Sequence, residues 1–343
     1  LTIIHSISFP YNYINSIIIT INSKLITFYT YTKWTQTTGG AQVTTTKNYT
    51  FTVSNNVAYT ANTTINKFTV TINVNNSSYG TVSTKSVANV PYGTVIKVGN
   101  SANVIGVNGT NVTATKTDLA GYTTKFVNFT SGNTTLSTTN GVTVTGNVTI
   151  TANFDRTANK YTVSYWSNGA TGGTTENSEY TYDTVGQLRA NGFTKEYTVT
   201  YSYNNATGGN STASNKATYT FAGWTGATMG KYGTSSSSVT TNASGATIPN
   251  SAYILNLATS GNVTIGANWN SASVTLPTPT RTGYTFGGWF SNSGLTTKVG
   301  DAGASYTPTA NITLYAKWTV DSYTVTYNAT ENGGKFGSAS GYS

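Results

Sequence analysis

An all-β fold is what this sequence predicts, and three observations carry the prediction. The first is alternation. In Asn311-Ile312-Thr313-Leu314-Tyr315-Ala316-Lys317-Trp318 the apolar residues fall at every second position, the period of a strand with one buried face. The second is repetition: the same pattern recurs from Asn262 to Trp269, from Asn147 to Phe154 and, more weakly, from Asn56 to Asn62. Each copy starts on Asn and carries Ala on its apolar face, and the three stronger copies end on a large aromatic. The third is composition. Tyr alone counts 25 and charged residues make up only 8%, against about 25% in an ordinary soluble domain. Thr and Tyr favour strands, whereas Asn and Gly favour turns. The expected architecture is a row of small β modules, such as immunoglobulin-like ones, built from antiparallel sheets in an extended array. A minor α+β contribution is the variant left open.

Taken in order, residues 1–67 read as a leader followed by an incomplete N-terminal module. Within the leader, Ser16 to Ile21 is uncharged and β-prone and is expected to be a buried strand. Tyr29-Thr30-Tyr31-Thr32-Lys33-Trp34 alternates, Gly39-Gly40 offers a turn, and the weak closing strand begins at Asn56. Residues 68–155 form a fuller module. It opens at Phe68 to Val74, turns at Tyr79-Gly80 and Tyr92-Gly93, has an inner strand through Phe126-Val127-Asn128-Phe129, and closes at Phe154. Residues 161–270 open with Tyr161-Thr162-Val163-Ser164-Tyr165-Trp166. The following Asn168-Gly169 suits a type I′ turn, because both positions tolerate positive φ. A near copy, Tyr197 to Tyr203, reads as a duplicated opening strand of the same module; Tyr219 to Trp224 is the inner strand, and an insertion runs from about Met229 to Ile254. Residues 271–320 are compact. Pro277 and Pro279 hold the chain extended, the inner strand runs from Tyr284 to Trp289, and closure comes at Trp318. Residues 321–343 start a further, truncated module at Tyr323-Thr324-Val325-Thr326-Tyr327, with Gly333-Gly334 as its turn. A half-module cannot bury its apolar face. The natural chain is therefore expected to continue, or this strand to complete a neighbouring sheet.

Composition also narrows the function classes. Net charge is +9, but the 18 Lys and Arg are scattered singly and the excess reflects only 9 acids. Nucleic-acid proteins cluster their basic residues on one face, so no nucleic-acid partner is expected. There is no Cys and one His, His5, which leaves no thiolate metal site and almost no imidazole chemistry. No segment is apolar for the roughly 18 residues that a membrane helix needs.

The only acidic cluster is Glu176, Glu179 and Asp183, in a Gly- and Thr-rich stretch that reads as a solvated loop. A calcium loop would need a D-x-[DN]-x-[DN]-G pattern, and glycoside hydrolysis two carboxylates flanking one bond; neither is legible here. No catalytic residue, metal site or cofactor is assigned. The aromatics carry more. Trp34, Trp224, Trp289 and Phe129 recur at one module position, and Trp269, Trp318 and Phe154 at another; with Phe286 they are expected to be core plugs. Trp166 follows Tyr165 on one strand, so the two point to opposite faces and one is exposed. Trp166 and Tyr203 are the candidate ligand contacts. About fifteen Asn-x-Ser/Thr sequons occur, and those at Asn147, Asn262 and Asn311 mark strand starts.

The segment Pro277…Pro279…Gly283-Tyr284-Thr285-Phe286-Gly287-Gly288-Trp289, followed by Asn311 to Trp318, resembles the Listeria–Bacteroides repeat, the B-repeat of internalin-type surface proteins. Residues 161–270 are similar but longer, and residues 68–154 look like a related bacterial surface repeat with Phe129 in place of the inner Trp. The resemblance implies a β-grasp-like fold and a secreted protein at the bacterial cell surface or wall. It implies a non-enzymatic spacer, stalk or adhesin region whose partners are neighbouring repeats and host or matrix glycans or proteins. The alternative is a carbohydrate- or matrix-binding module.

Overall fold

The structure, a computed structural model, describes residues 6–9, 17–19, 28–36, 38–51 and 57–326. His5, Ser16, Thr20, Ile21, Asn56, Tyr327 and Gly333-Gly334, singled out above, lie outside the described residues. The chain is all-β and divides into two compact units, residues 1–159 and 160–343.

The first unit begins with β1 (Ser6–Phe9), β2 (Ile17–Ile19), β3 (Tyr29–Gln36), β4 (Gln42–Thr44), β5 (Tyr49–Phe51) and β6 (Val57–Ile65). A four-stranded sheet runs β1-β6-β3-β4, and β2 pairs with β5. There follow β7 (Lys67–Val74), β8 (Gly80–Val82), β9 (Ser86–Pro91), β10 (Val95–Ile96), β11 (Val104–Val107), β12 (Thr110–Lys116), β13 (Tyr122–Ser131), β14 (Thr134–Thr135), β15 (Val142–Thr143) and β16 (Val148–Ala158). The main sheet is β14-β13-β16-β7-β9, covered by the smaller sheets β8-β12-β11 and β10-β15. Val70, Ile72, Ile105, Val112, Phe129 and Ile150 fill the layer between them, because each strand turns its alternate apolar residues the same way.

The second unit holds β17 (Lys160–Trp166), β18 (Gly172–Gly173), β19 (Ser178–Thr181), β20 (Gly186–Gln187), β21 (Phe193–Ser202), β22 (Gly208–Gly209), β23 (Ser214–Thr225), β24 (Lys231–Gly233), β25 (Thr241–Asn242), β26 (Tyr253–Leu255) and β27 (Gly261–Asn270). It ends with β28 (Val274–Thr275), β29 (Pro279–Thr280), β30 (Tyr284–Phe290), β31 (Lys298–Gly300), β32 (Ser305–Tyr306) and β33 (Ile312–Val320). One sheet of nine strands runs β19-β17-β27-β23-β21-β33-β30-β31, with β18 paired to β21. The insertion after Trp224 supplies β24, β25 and β26, which join the earlier β20 in the sheet β20-β26-β24-β25; Ile254 of β26 and the flanking Ile248 and Leu257 share a core with Trp224.

Two features differ from the sequence reading. The sheets are not wholly antiparallel: β7 with β16, β17 with β27 and β21 with β33 are parallel pairs. In each case the opening strand lies beside the closing strand and the inner strand flanks the latter. Parallel neighbours need a long crossover, and the intervening chain supplies it. The second difference concerns Tyr197 to Tyr203. These residues do not double the opening strand beside β27. Val199 and Tyr201 pack with Trp289 and Leu314 in a separate core, and Val199 lies opposite Ile312 of β33. The two cores of this unit therefore interleave in sequence. They share β23: its Lys195-facing half pairs with β21 through Tyr219, and its other half pairs with β27 from Thr220 onward.

A local device recurs in every large sheet. The inner strand bulges between Tyr31 and Lys33, Phe126 and Asn128, Phe221 and Gly223, and Phe286 and Gly288. Residues three apart on a regular strand face opposite ways. One extra residue in a bulge brings them to the same face, so Phe286 and Trp289 both enter the core. Opposite the inner aromatic sits the Ala of the closing strand: Trp34 on Ala61, Phe129 on Ala152, Trp224 on Ala267 and Trp289 on Ala316. A methyl there leaves room for the ring. Gly223 (φ 138°) and Gly288 (φ 109°) take the bulge conformation that a side chain would strain.

Candidate binding surface

Along β17, Tyr161, Val163 and Tyr165 are buried, so alternation turns Lys160, Thr162, Ser164 and Trp166 to the outer face. Trp166 is 59% exposed. Register places it beside Gly266 of β27, and a Cβ built on Gly266 would lie 3.0 Å from Trp166 Cε3. The indole thus lies across a glycine, held from below with its upper face open. Thr225 flanks Gly266 on the far side, and Thr264 and Asn268 share the outer face by alternation. The result is a small aromatic platform rimmed by hydroxyl and amide groups.

Tyr203 is placed differently. Its ring centroid lies 5.4 Å from that of Trp289 and 6.3 Å from that of Tyr201, and its hydroxyl donates to the Thr212 carbonyl at 2.7 Å. Burial raises its phenol pKa above the ordinary value. β27 and β23 stand between β17 and β21 in the sheet, so Trp166 and Tyr203 are not brought together.

The aromatics named as core plugs form stacks. Phe126, Phe129 and Phe154 meet with centroid separations of 5.0 and 5.5 Å about Phe126. Phe221 stands 4.8 Å from Trp224 and 5.9 Å from Trp269; Phe286 stands 5.7 Å from Trp289 and 5.2 Å from Trp318. Trp224, Trp289 and Phe129 are fully buried and Phe154 nearly so; Phe286, Trp269 and Trp318 are partly buried at the core's rim. Trp289 Nε1 donates to the Pro277 carbonyl at 2.9 Å, whereas the buried Trp224 Nε1 has no partner.

Sequence reasoning missed the clamps that tie opening to closing strands. Trp269 Nε1 donates to the Ser167 carbonyl at 3.2 Å, and Trp318 Nε1 to the Tyr203 carbonyl at 3.0 Å. In return Asn168 Nδ2 donates to the Ala267 carbonyl at 2.9 Å, and Asn204 Nδ2 to the Ala316 carbonyl at 2.7 Å. Both Asn residues have φ 48°, which Asn tolerates better than most side chains. The signal was present as an Asn seven residues after both Tyr161 and Tyr197. The strand-start Asn residues also bond: Asn147 Oδ1 accepts from Thr69 N at 3.0 Å and Asn311 Oδ1 from Thr198 N at 2.8 Å.

The acids disperse. Glu179 pairs with Lys160 at 2.6 Å, while Asp183 accepts from Asn256 Nδ2 at 2.7 Å. No three His, Asp or Glu side chains converge among the described residues. Glu196 is held below the usual carboxylate range, first by its hydrogen bond with Lys216 and then by that from Thr218.

Repeated aromatic stacks, bulges and clamps define the class: an all-β protein whose recurring residues build structure. Residues 257–317 match the family model of the Listeria-Bacteroides repeat domain, as the resemblance implied. The matched stretch contains β30 and most of β33 but not β21, the strand that completes their core. Repeats of this family are typical of bacterial surface proteins. No curated protein matches the chain at a significant level. Among the described residues no helix is long and apolar enough to cross a membrane.

Proposed function

We propose that this chain is a non-catalytic repeat segment of a secreted, wall-associated bacterial surface protein, acting as a spacer or stalk that presents an adhesive region. The observation that carries this reading is where the recurring residues are used. At corresponding positions the chain keeps the inner aromatic, its facing Ala, the bulge and the strand clamps, all of which hold strands together. The titratable groups instead scatter into exposed pairs. A second reading, binding of a host or matrix glycan, is favoured by one observation: the open face of Trp166 with hydroxyl and amide groups around it.

The test is to display the chain between a wall anchor and a reporter on a bacterial surface, and to screen the purified chain on glycan and matrix-protein arrays. The spacer reading expects the reporter to gain reach and the arrays to stay blank. Saturable glycan binding, lost in Trp166→Ala at unchanged melting temperature, overturns it in favour of the second reading. Turnover of wall glycan, abolished by Glu176→Gln or Glu179→Gln, overturns both.

A further inference from the structure

Opening and closing strands run the same way in all three parallel pairs. In the first unit Val70 of β7 lies opposite Val148 of β16, and the ladder continues to Val74 opposite Ala152. In the second unit β17 is parallel to β27 and β21 to β33, while β23 is antiparallel to both β27 and β21. β17, β27, β21 and β33 therefore all point one way across one sheet. The start of β17, Lys160, and the finish of β33, Val320, lie toward opposite ends of that sheet.

This direction decides how the fold meets tension along the chain. Tension draws an opening strand out through its start and a closing strand out through its finish. In an antiparallel hairpin those two points are neighbours, so the ladder opens one bond at a time. In a parallel pair they lie at opposite ends of the ladder. Tension then slides one strand along the other and strains every bond together.

Side-chain bonds stand at both ends of these ladders, where they oppose such sliding. At the starting end, Asn147 Oδ1 accepts from Thr69 N and Asn311 Oδ1 from Thr198 N. At the finishing end, Asn75 Nδ2 donates to the Phe154 carbonyl at 2.8 Å, and Phe154 N donates to Asn75 Oδ1 at 2.9 Å. The bonds of Asn168 and Trp269, and of Asn204 and Trp318, hold the same place in the other two pairs. We propose that the parallel opening–closing pair is a load-bearing device: each unit carries tension along the chain without unfolding, and the Asn and Trp bonds are its shear locks. The proposal rests on the spacer reading above, which supplies the tension, and adds mechanical strength to reach. In the second unit the load passes from β17 through β27, β23 and β21 to β33, so tension between Lys160 and Val320 meets no ladder that it can peel.

The chain has no Cys, so introduced thiols set where force is applied. Lys67, Thr145 and Thr157 are exposed. Lys67→Cys with Thr157→Cys pulls β7 and β16 in shear. Lys67→Cys with Thr145→Cys, both at the starting end, peels them apart. In single-molecule pulling at one loading rate, the shear attachment is expected to need more than about twofold the force of the peel attachment, because the whole ladder shares the load in one and single bonds bear it in the other. Asn75→Ala should lower the force in shear and leave it nearly unchanged in peel, since peeling reaches that bond last. A residue that only stabilised the fold would lower both. Equal force in the two directions overturns the proposal, as does an equal fall in both on Asn75→Ala. If Asn75→Ala does not fold, the two attachments in the otherwise unchanged chain decide the matter alone. Failure of the spacer reading is distinct: it shows as a displayed reporter that gains no reach on a chain that still resists shear, whereas gained reach with equal forces strikes only the load-bearing role.

Discussion

At the scale of single residues, Trp224 and Trp289 look alike in sequence and differ in one bond. Replacing either by Ala is expected to destabilise the second unit by about 3–5 kcal/mol, the usual range for a large core aromatic. Replacement by Phe separates them. Trp289→Phe strands the Pro277 carbonyl that its Nε1 now satisfies, while Trp224→Phe removes a donor that has no partner. Chemical denaturation should find Trp289→Phe the more costly by about 1 kcal/mol or more; equal losses would mean that the Pro277 bond contributes nothing. The buried phenols add a pH limit. Burial raises the pKa of Tyr161, Tyr180 and Tyr201 above the ordinary phenol value of about 10. Their folded pKa values exceed the unfolded ones, so the stability they contribute is complete below about pH 10 and is lost as pH rises through the folded values. Melting temperature should therefore fall in step with phenolate absorbance above that pH. The identity of the plugs was legible from their recurrence; their hydrogen bonds were not, because partners such as Pro277 sit at no repeated offset.

At the scale of elements, the bulge decides which side chains reach the core. The spacing Phe286-x-x-Trp289 has the wrong parity for one face of a regular strand, and only the extra residue reconciles it. That spacing was on view in the sequence, but alternation alone gave no reason to insert a bulge. Gly223 tests the device. A Cβ there would stand 2.7 Å from the Ile248 carbonyl oxygen and 2.6 Å from Thr247 Cγ2, at φ 138°. The carbonyl belongs to the bridge between Trp224 and Ile248 and cannot move freely. Gly223→Ala is expected to cost more than about 1 kcal/mol, beyond the ordinary gain from restricting a glycine, while Gly245→Ala, with open space around it, should lose less. Similar losses at the two sites would argue that the bulge is plastic.

At the scale of the molecule, the sequence yielded strand identity but not strand partnership. Position in the sequence groups Tyr197 to Tyr203 with its nearest neighbours, whereas its closing strand, β33, lies beyond the whole of the preceding core. Proximity in sequence is a fair guide for hairpins and a poor one for parallel pairs, whose crossovers have no fixed length. Sharing of β23 has a thermodynamic consequence. Scanning calorimetry should resolve two transitions, one for each compact unit, and Trp224→Ala and Trp289→Ala should lower the same one. Thr220→Pro, placed where β23 passes from one core to the other, should lower it as well, since Pro cannot donate to the ladder. Separate transitions for the two cores would show that β23 does not couple them.

Interleaving also poses a problem of choice during synthesis. When β27 emerges, β17 and β21 both wait with nearly the same Tyr-Thr-Val-x-Tyr sequence, and either could take it. The pair of Trp166 on Gly266 breaks the tie. In the other parallel pair the sizes are reversed, with Ser202 opposite Tyr315. Exchanging partners would crowd Trp166 against Tyr315 and leave Ser202 over a bare glycine. Bulk against bulk on one side and a gap on the other penalise the wrong match, so the exposed indole works as a key cut for one strand, discriminating between two templates before either core has closed.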